Sequence, residues 1–299
     1  MQAHHEVGGA ADCVRLARMQ ASRPKVAVVG HVEWVQFARV PHIPRDGEVM
    51  HAVDPFEEPA GGGAVAAVQL ARLAGEAVLV TALGQDAHGD RSVARLRELG
   101  VHVWAVRRTE PTRTAVTLFD QSRERTIITF GSRLEPVGED AELPWDTLAE
   151  MDAVYFTAGD QAALRAARAA RVLVASPRAL HALGHDVPLD ALVLSREDSV
   201  ERREARGAQD EAELVVLTDG GRGGTYRMRS GESGAWPPAT PPAPAVDSYG
   251  CGDSFAGGLT FGLGSGMAVP DALSLAARCG AVCLTGRGPY EHQLTGPLA

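Results

Sequence analysis

The chain has 299 residues, 45% of them hydrophobic and 22% charged, enough for one large α/β domain or two modest ones. A formal net charge of −9, from 29 basic and 38 acidic residues, excludes a broad surface for nucleic acid or anionic membrane, so a nucleotide would need local positive groups or a metal. No apolar stretch approaches the roughly 20 residues that span a bilayer.

Residues 1–23 lack the uninterrupted apolar core of a secretory signal and read as a poorly ordered extension, with His4 and His5 too isolated for a metal site. From residue 24 onward, β-branched runs alternate with Ala/Leu/Arg patterns of helical period. Strands are predicted at Val26–Val29, Ala77–Thr81, Ala153–Phe156, Val172–Ala175, Leu192–Leu194 and Leu214–Thr218. Helices are predicted at Val65–Leu73, Arg91–Leu99 and Ala162–Ala169. This alternation points to a mainly parallel sheet covered by helices on both faces. Two segments interrupt it. Residues 31–56 carry Pro41, Pro44 and Pro55, and residues 101–131 read as extended pieces at Val101–Val106, Ala115–Phe119 and Thr126–Phe130. The cysteines Cys13, Cys251, Cys279 and Cys283 form no disulfide or zinc pattern and suit a reducing cytoplasm. Cys279 and Cys283, four apart on an apolar helix, read as small core residues.

The most informative stretch is Val246-Asp247-Ser248-Tyr249-Gly250-Cys251-Gly252-Asp253, which follows a Pro-rich segment and opens a glycine-studded apolar helix reaching about Leu263. Two glycines around one small residue let the backbone turn sharply and aim successive N–H groups at one spot. Where that turn feeds a helix, free amides and the positive end of the dipole favour an anion. Asp253 stands in the first turn, where its carboxylate can take a proton from a hydroxyl. A helix N-cap with a capping aspartate would give the same local pattern, and the rest of the chain weighs against it.

Other segments add to this. Thr218-Asp219-Gly220-Gly221-Arg222-Gly223 closes an apolar strand with a glycine-rich turn, a plausible nucleotide edge, although hairpin turns look alike. Ser195-Arg196-Glu197-Asp198 ends another strand; its oxygens suit a hard cation, and it reads equally as a Ser N-cap with an acidic first turn. After the first strand, Gly30-His31-Val32-Glu33 lacks the second and third glycines of a dinucleotide fingerprint, which disfavours a dehydrogenase. Gly61-Gly62-Gly63 permits close backbone approach by a ligand.

Together these motifs resemble the ribokinase-like (PfkB-type) carbohydrate kinases, with Ser248 and Cys251 where that family usually has Thr and Ala. The resemblance runs over about residues 24–290, through Thr81-Ala82-Leu83-Gly84-Gln85-Asp86, Gly89, Glu124-Arg125-Thr126-Ile127 and Gly286-Arg287-Gly288. It implies an α/β fold with a mainly parallel central sheet flanked by helices and a β-rich lid built from segments near 31–56 and 101–131, all in one domain over 24–299. It implies transfer of the γ-phosphoryl of ATP to a hydroxyl of a sugar or sugar derivative. Asp253 would be the base, and Gly250, Cys251 and Gly252 the anion hole. Thr218, Gly220 and Gly223 would line the nucleotide, and Ser195 and Asp198 would organise Mg2+, with a monovalent cation such as K+ admitted. Glu33, Gly61, Gly62 and Gly63 fall on the acceptor side. Val35 and Val65 stand where the family's sugar kinases carry Asp and Asn, so both of those polar anchors are lost here. The partners implied are a small-molecule acceptor and ATP, with a homodimer through the lid. A nucleoside acceptor, or a non-catalytic binding protein that kept the fold, are the alternatives.

Overall fold

The computed structural model describes residues 23–120, 125–184 and 186–296. All but the last residue of the expected extension therefore lies outside the described residues, with His4, His5, Cys13 and Glu124. In chain order the first strands are β1 (Val26–Val29), β2 (Glu33–Arg39), β3 (Val53–Ala60), β4 (Ala77–Gly84), β5 (Val101–Arg108), β6 (Thr114–Phe119) and β7 (Arg125–Phe130). They are followed by β8 (Ala153–Phe156), β9 (Val172–Ala175), β10 (Leu189–Ser195), β11 (Ala212–Thr218), β12 (Gly224–Met228) and β13 (Ser233–Trp236). The helices are α1 (Gly62–Ala74), α2 (Ala87–Glu98), α3 (Gln161–Ala167), α4 (Ser199–Glu204), α5 (Arg206–Glu211), α6 (Cys251–Gly264) and α7 (Val269–Cys283).

A nine-stranded sheet runs in the order β13-β12-β11-β10-β9-β8-β1-β4-β5, parallel from β11 to β5, with β12 and β13 added antiparallel. β1 shows why this sheet forms. Its four apolar residues are all buried, Val26 and Val28 in one core with residues of α1, α6 and α7, Ala27 and Val29 in another with residues of α3. A strand covered on both faces reads as an unbroken apolar run, which is what the sequence shows at β1, β8 and β9. From β1 the chain builds outward to β4 and β5, then returns to β8 on the other side and builds to β11. The carboxyl ends of β1 and β8 therefore flank the point where the winding reverses, the usual place for a ligand crevice.

A second sheet of four strands, β3-β2-β6-β7, has antiparallel outer pairs and a parallel β2/β6 centre. It is the expected small β-rich lid. Phe37 ties it to the motif loop, stacking on Phe56 at 4.7 Å and on Phe119 at 6.3 Å and meeting Tyr249 edge-on at 4.9 Å. One expected lid piece belongs elsewhere: β5 pairs in parallel with β4 and closes the large sheet. A half-buried alternating strand looks the same at the edge of either sheet, so its sequence could not assign it. Cys279 and Cys283 are fully buried on α7, as expected of core residues.

Candidate active site

Gly250 caps α6 with φ +80° and ψ −2°, a left-handed conformation that glycine adopts without strain. The turn it makes places Asp253, 9% exposed, in the first helical turn. Asp247 at the head of the motif is fully buried and accepts hydrogen bonds from the amides of Tyr249 at 3.1 Å and Gly288 at 2.8 Å. Burial raises its pKa, against the pull of those amides. Asp247 thus fixes the loop while Asp253 faces the crevice. The Cys251 thiol turns to Cys283; that hydrogen bond, with burial, pushes it well above the ordinary thiol value, so it stays protonated and is no nucleophile. Gly252 differs: a Cβ there would meet nothing within 4 Å among the described residues, so the backbone is open to an approaching anion.

The acceptor-side residues converge on the same place. The amides at the start of α1 are already engaged, Gly61 donating to Tyr249 Oη at 3.3 Å and Gly62 to His31 Nε2 at 3.4 Å. A Cβ on Gly62 would lie 2.2 Å from Arg178 Nη1 and 3.1 Å from Asp253 Oδ1, so only glycine leaves room for the guanidinium. Gly63 packs its Cα face against Gly30 and His31. Glu33, 7% exposed at the start of β2, pairs with Arg113 at 3.2 Å and lies 3.7 Å from His31 Nε2. Burial raises the Glu33 pKa, and Arg113, Arg178 and Arg133 oppose the rise. His31 is held neutral, its pKa lowered by burial and then by Arg178, Arg133 and Arg113. Val35 and Val65 are fully buried and offer no hydrogen bond; Val65 lies under Gly250.

The nucleotide-side residues form a second group along the carboxyl ends of β10 and β11, where Ser195 and Thr218 are register partners. The Thr218 hydroxyl donates to the Leu194 carbonyl at 3.1 Å. Gly220 and Gly223 shape the turn beyond it, at φ +51° and +87°. Arg196 and Arg222 pair with Asp219 at 3.3 and 2.6 Å and put two guanidinium groups on this edge. Asp198 caps α4 by accepting from the Glu201 amide at 2.8 Å, and Ser195 Oγ accepts from the Glu197 amide at 3.3 Å. The helix cap is thus Asp198 and not Ser195, which ends β10 and only braces the turn after it. Glu201, in the first turn of α4, has its pKa raised by burial, with Asp198 and Asp253 adding to the rise. Asp198 and Glu201 thus bring carboxylate oxygens near Asp253, but among the described residues no three His, Cys, Asp or Glu side chains are grouped to hold a metal ion.

Sequence reasoning missed Arg178. Its Nη1 lies 2.5 Å from Asp253 Oδ1, and its pKa is raised, first by Asp253. The available signal was its position three residues beyond β9, where a parallel strand delivers side chains to the ligand edge. Arg113, Arg133 and Glu201 were missed too, each lying just outside a strand or in a short helix with no motif. Arg125 links lid to loop, donating to Ser248 Oγ at 3.3 Å.

A parallel sheet covered on both faces, a carboxylate at a helix-start anion cradle and a small covering sheet define a ribokinase-type fold. Ribokinase from Thermotoga maritima shares it, with a TM-score of 0.74 at 21% identity, covering 91% of this chain and 96% of that one. The structure of Arabidopsis thaliana ribokinase complexed with ribose and ATP matches with a TM-score of 0.69 at 19% identity, covering 89% and 94%. In sequence, the ribokinase of Schizosaccharomyces pombe is 25% identical over 296 residues, 88% of this chain and 92% of its own. The chain belongs to the pfkB family of carbohydrate kinases, which it matches over residues 23–187 and 188–295.

Proposed function

We propose that this protein is an ATP-dependent phosphotransferase whose acceptor is a hydroxyl of a sugar or sugar derivative. The observation that carries the reading is Asp253 in the first turn of α6, beside the amides that follow Gly250 and 3.1 Å from where a side chain on Gly62 would begin. In the step proposed, the acceptor oxygen bonds to the γ-phosphorus as the bond to the β,γ-bridging oxygen breaks. ADP leaves with that electron pair, and the hydroxyl proton passes to Asp253. The amides from Gly250 to Gly252 offset charge on the transferring group, and the dipole of α6 adds to them. Thr218 and the Gly220–Gly223 turn receive the nucleotide. Ser195 and Asp198 would organise magnesium through water, and its charge would offset that of the phosphates. The lid excludes water, which would otherwise compete for the phosphoryl group.

The ribose and ATP of the Arabidopsis relative support a sugar and a triphosphate as the pair of substrates. The missing anchors argue that neutral acceptors in the usual pose fit poorly. Each hydroxyl buried without a partner against Val35 or Val65 costs about 1–3 kcal/mol, so two weaken binding roughly 30- to 20,000-fold. The exposed lid edge at β7, with Ile128 50% and Phe130 53% exposed, supports a homodimer through the lid. The competing reading, a binding protein without turnover, is favoured by Arg178 closing on Asp253. ADP release measured across sugars, sugar derivatives and nucleosides separates the two. Release that depends on one class of acceptor is expected, with ribose, fructose and adenosine poor; release with none of them overturns the enzyme reading.

A further inference from the structure

The acceptor end of the crevice is surrounded by guanidinium groups. Arg113 pairs with Glu33 at 3.2 Å, Arg133 pairs with Glu135 at 2.6 Å and donates to the Arg178 carbonyl at 2.8 Å, and Arg178 pairs with Asp253 at 2.5 Å. His31 sits among them, 5% exposed. Because its Nε2 faces the Gly62 N–H, its proton belongs on Nδ1, which is buried and has no hydrogen-bond partner among the described residues. The buried Nε of Arg113, a donor next to Glu33, has no partner there either. Unsatisfied buried donors are uncommon, and these two both belong to residues within reach of Glu33. On that side the groups that would read neutral hydroxyls are replaced by Val35 and Val65, both fully buried.

The Arg178–Asp253 pair adds a requirement. As a base, Asp253 needs its lone pairs for the acceptor proton, yet a guanidinium holds one oxygen at 2.5 Å. Exchanging that charge-assisted bond for a neutral hydroxyl is unfavourable; exchanging it for another anion is not. Arg178 also leans over Gly62 at the start of α1, on the side of Glu33 and His31.

Resting on the kinase reading above, we propose that the acceptor carries an anionic group, a carboxylate or a phosphate, which takes Arg178 from Asp253 and so frees the base as the substrate seats. Neutral His31 and the Nε of Arg113 supply further donors to that group or to the hydroxyls beside it. Arg178 is then both the specificity-determining residue and the restraint on the base in the empty site.

Matched pairs test this: glucose against gluconate, xylose against xylonate, and fructose against fructose 6-phosphate. Each is measured for ADP release with wild type and Arg178→Gln, and for heat of binding without ATP. The expected result is a kcat/KM on the order of 10- to 100-fold higher for an acidic member than for its neutral partner, the range of one charge-assisted hydrogen bond. The preference should shrink to within about threefold in Arg178→Gln and survive in part in Arg178→Lys, with a melting point near wild type in both. The aldonates and the sugar phosphate report separately on carboxylate and phosphate. Equal turnover of neutral and acidic members, or a preference unchanged in Arg178→Gln, overturns the proposal and leaves the kinase reading intact. So does an equal loss on all acceptors with a raised KM for ATP, which would assign Arg178 to the transferring phosphoryl group. No binding of any acidic member at millimolar concentration also overturns it. Selective binding of acidic members without ADP release supports the anion site and overturns the kinase reading instead.

Discussion

Replacing Gly250 with Ala perturbs the anion cradle at the residue that shapes it. At φ +80° an alanine incurs about 1–2 kcal/mol of left-handed strain. Its Cβ would stand 3.0 Å from Val65 Cγ1 and 3.2 Å from Pro289 Cβ, so an overpacked contact adds about 1–3 kcal/mol. The sum, roughly 2–5 kcal/mol, lowers the melting point by about 5–15 °C for a domain of this size. Activity should fall further than stability suggests. The amides of residues 250–252 would shift relative to Asp253, and displacements near 1 Å cost about 100-fold in rate. Adding Val65→Ala separates the terms. It removes the crowding methyl, so the pair should couple favourably by about 1 kcal/mol, while the dihedral strain and the lost kcat persist. Calorimetric melting and steady-state kcat on each variant are the assays. A Gly250→Ala protein melting within 1 °C of wild type with kcat within twofold would refute the reasoning.

Two further substitutions examine the nucleotide edge and the buried histidine. Gly223→Ala would put a Cβ 2.1 Å from the Trp236 carbonyl, so it should lower the melting point through the β12–β13 hairpin. At Gly221 a Cβ would meet nothing within 4 Å among the described residues, so Gly221→Val should raise the KM for ATP with little change in melting; equal effects on the ATP and acceptor KM would remove this turn from the nucleotide site. His31 is held neutral in the fold, whereas in the unfolded chain it takes a proton as pH falls below about 6.5. Protons therefore favour unfolding, and this one group should reduce stability by up to about 1.4 kcal/mol per pH unit below that value. Urea unfolding of wild type and His31→Gln between pH 5 and 6.5 should show the shallower acid slope in the variant, and parallel slopes would contradict it. Glu33, raised by burial, acts in the opposite sense in its own window above 4.5 and is common to both proteins.

The elements most legible in sequence were those with one physical reading. β1, β8 and β9 are unbroken apolar runs between turns, and the structure has them at the predicted residues. The motif loop was legible because Gly250 and Gly252 at that spacing, followed by an acidic first turn, leave few other backbones. β5 was assigned to the lid because half-buried alternation does not name the neighbouring strand. β12 and β13 follow the Thr218–Gly223 turn, in a stretch where no strand is predicted. In the site, the glycines and Asp253 could be read from local pattern, and Glu33 only through the family resemblance. Arg178 could not: it approaches Asp253 from 75 positions away, on a turn whose local sequence describes only a strand end. The capping residue shows the same limit: the pattern allowed Ser195 as the cap and the structure has Asp198, since short polar residues at a strand end look alike until their hydrogen bonds are known.

The central claim is that Asp253 takes the proton of an acceptor hydroxyl. The most direct test follows label from γ-32P-ATP onto the best acceptor of the panel, with wild type and Asp253→Asn under single-turnover conditions. Asparagine preserves the shape and can still accept from Arg178, yet it is nearly useless as a base. The account predicts label on the wild-type product and at least about a 100-fold slower transfer in Asp253→Asn, with ATP affinity and melting point nearly unchanged. Transfer at more than half the wild-type rate would place the base elsewhere and contradict the account.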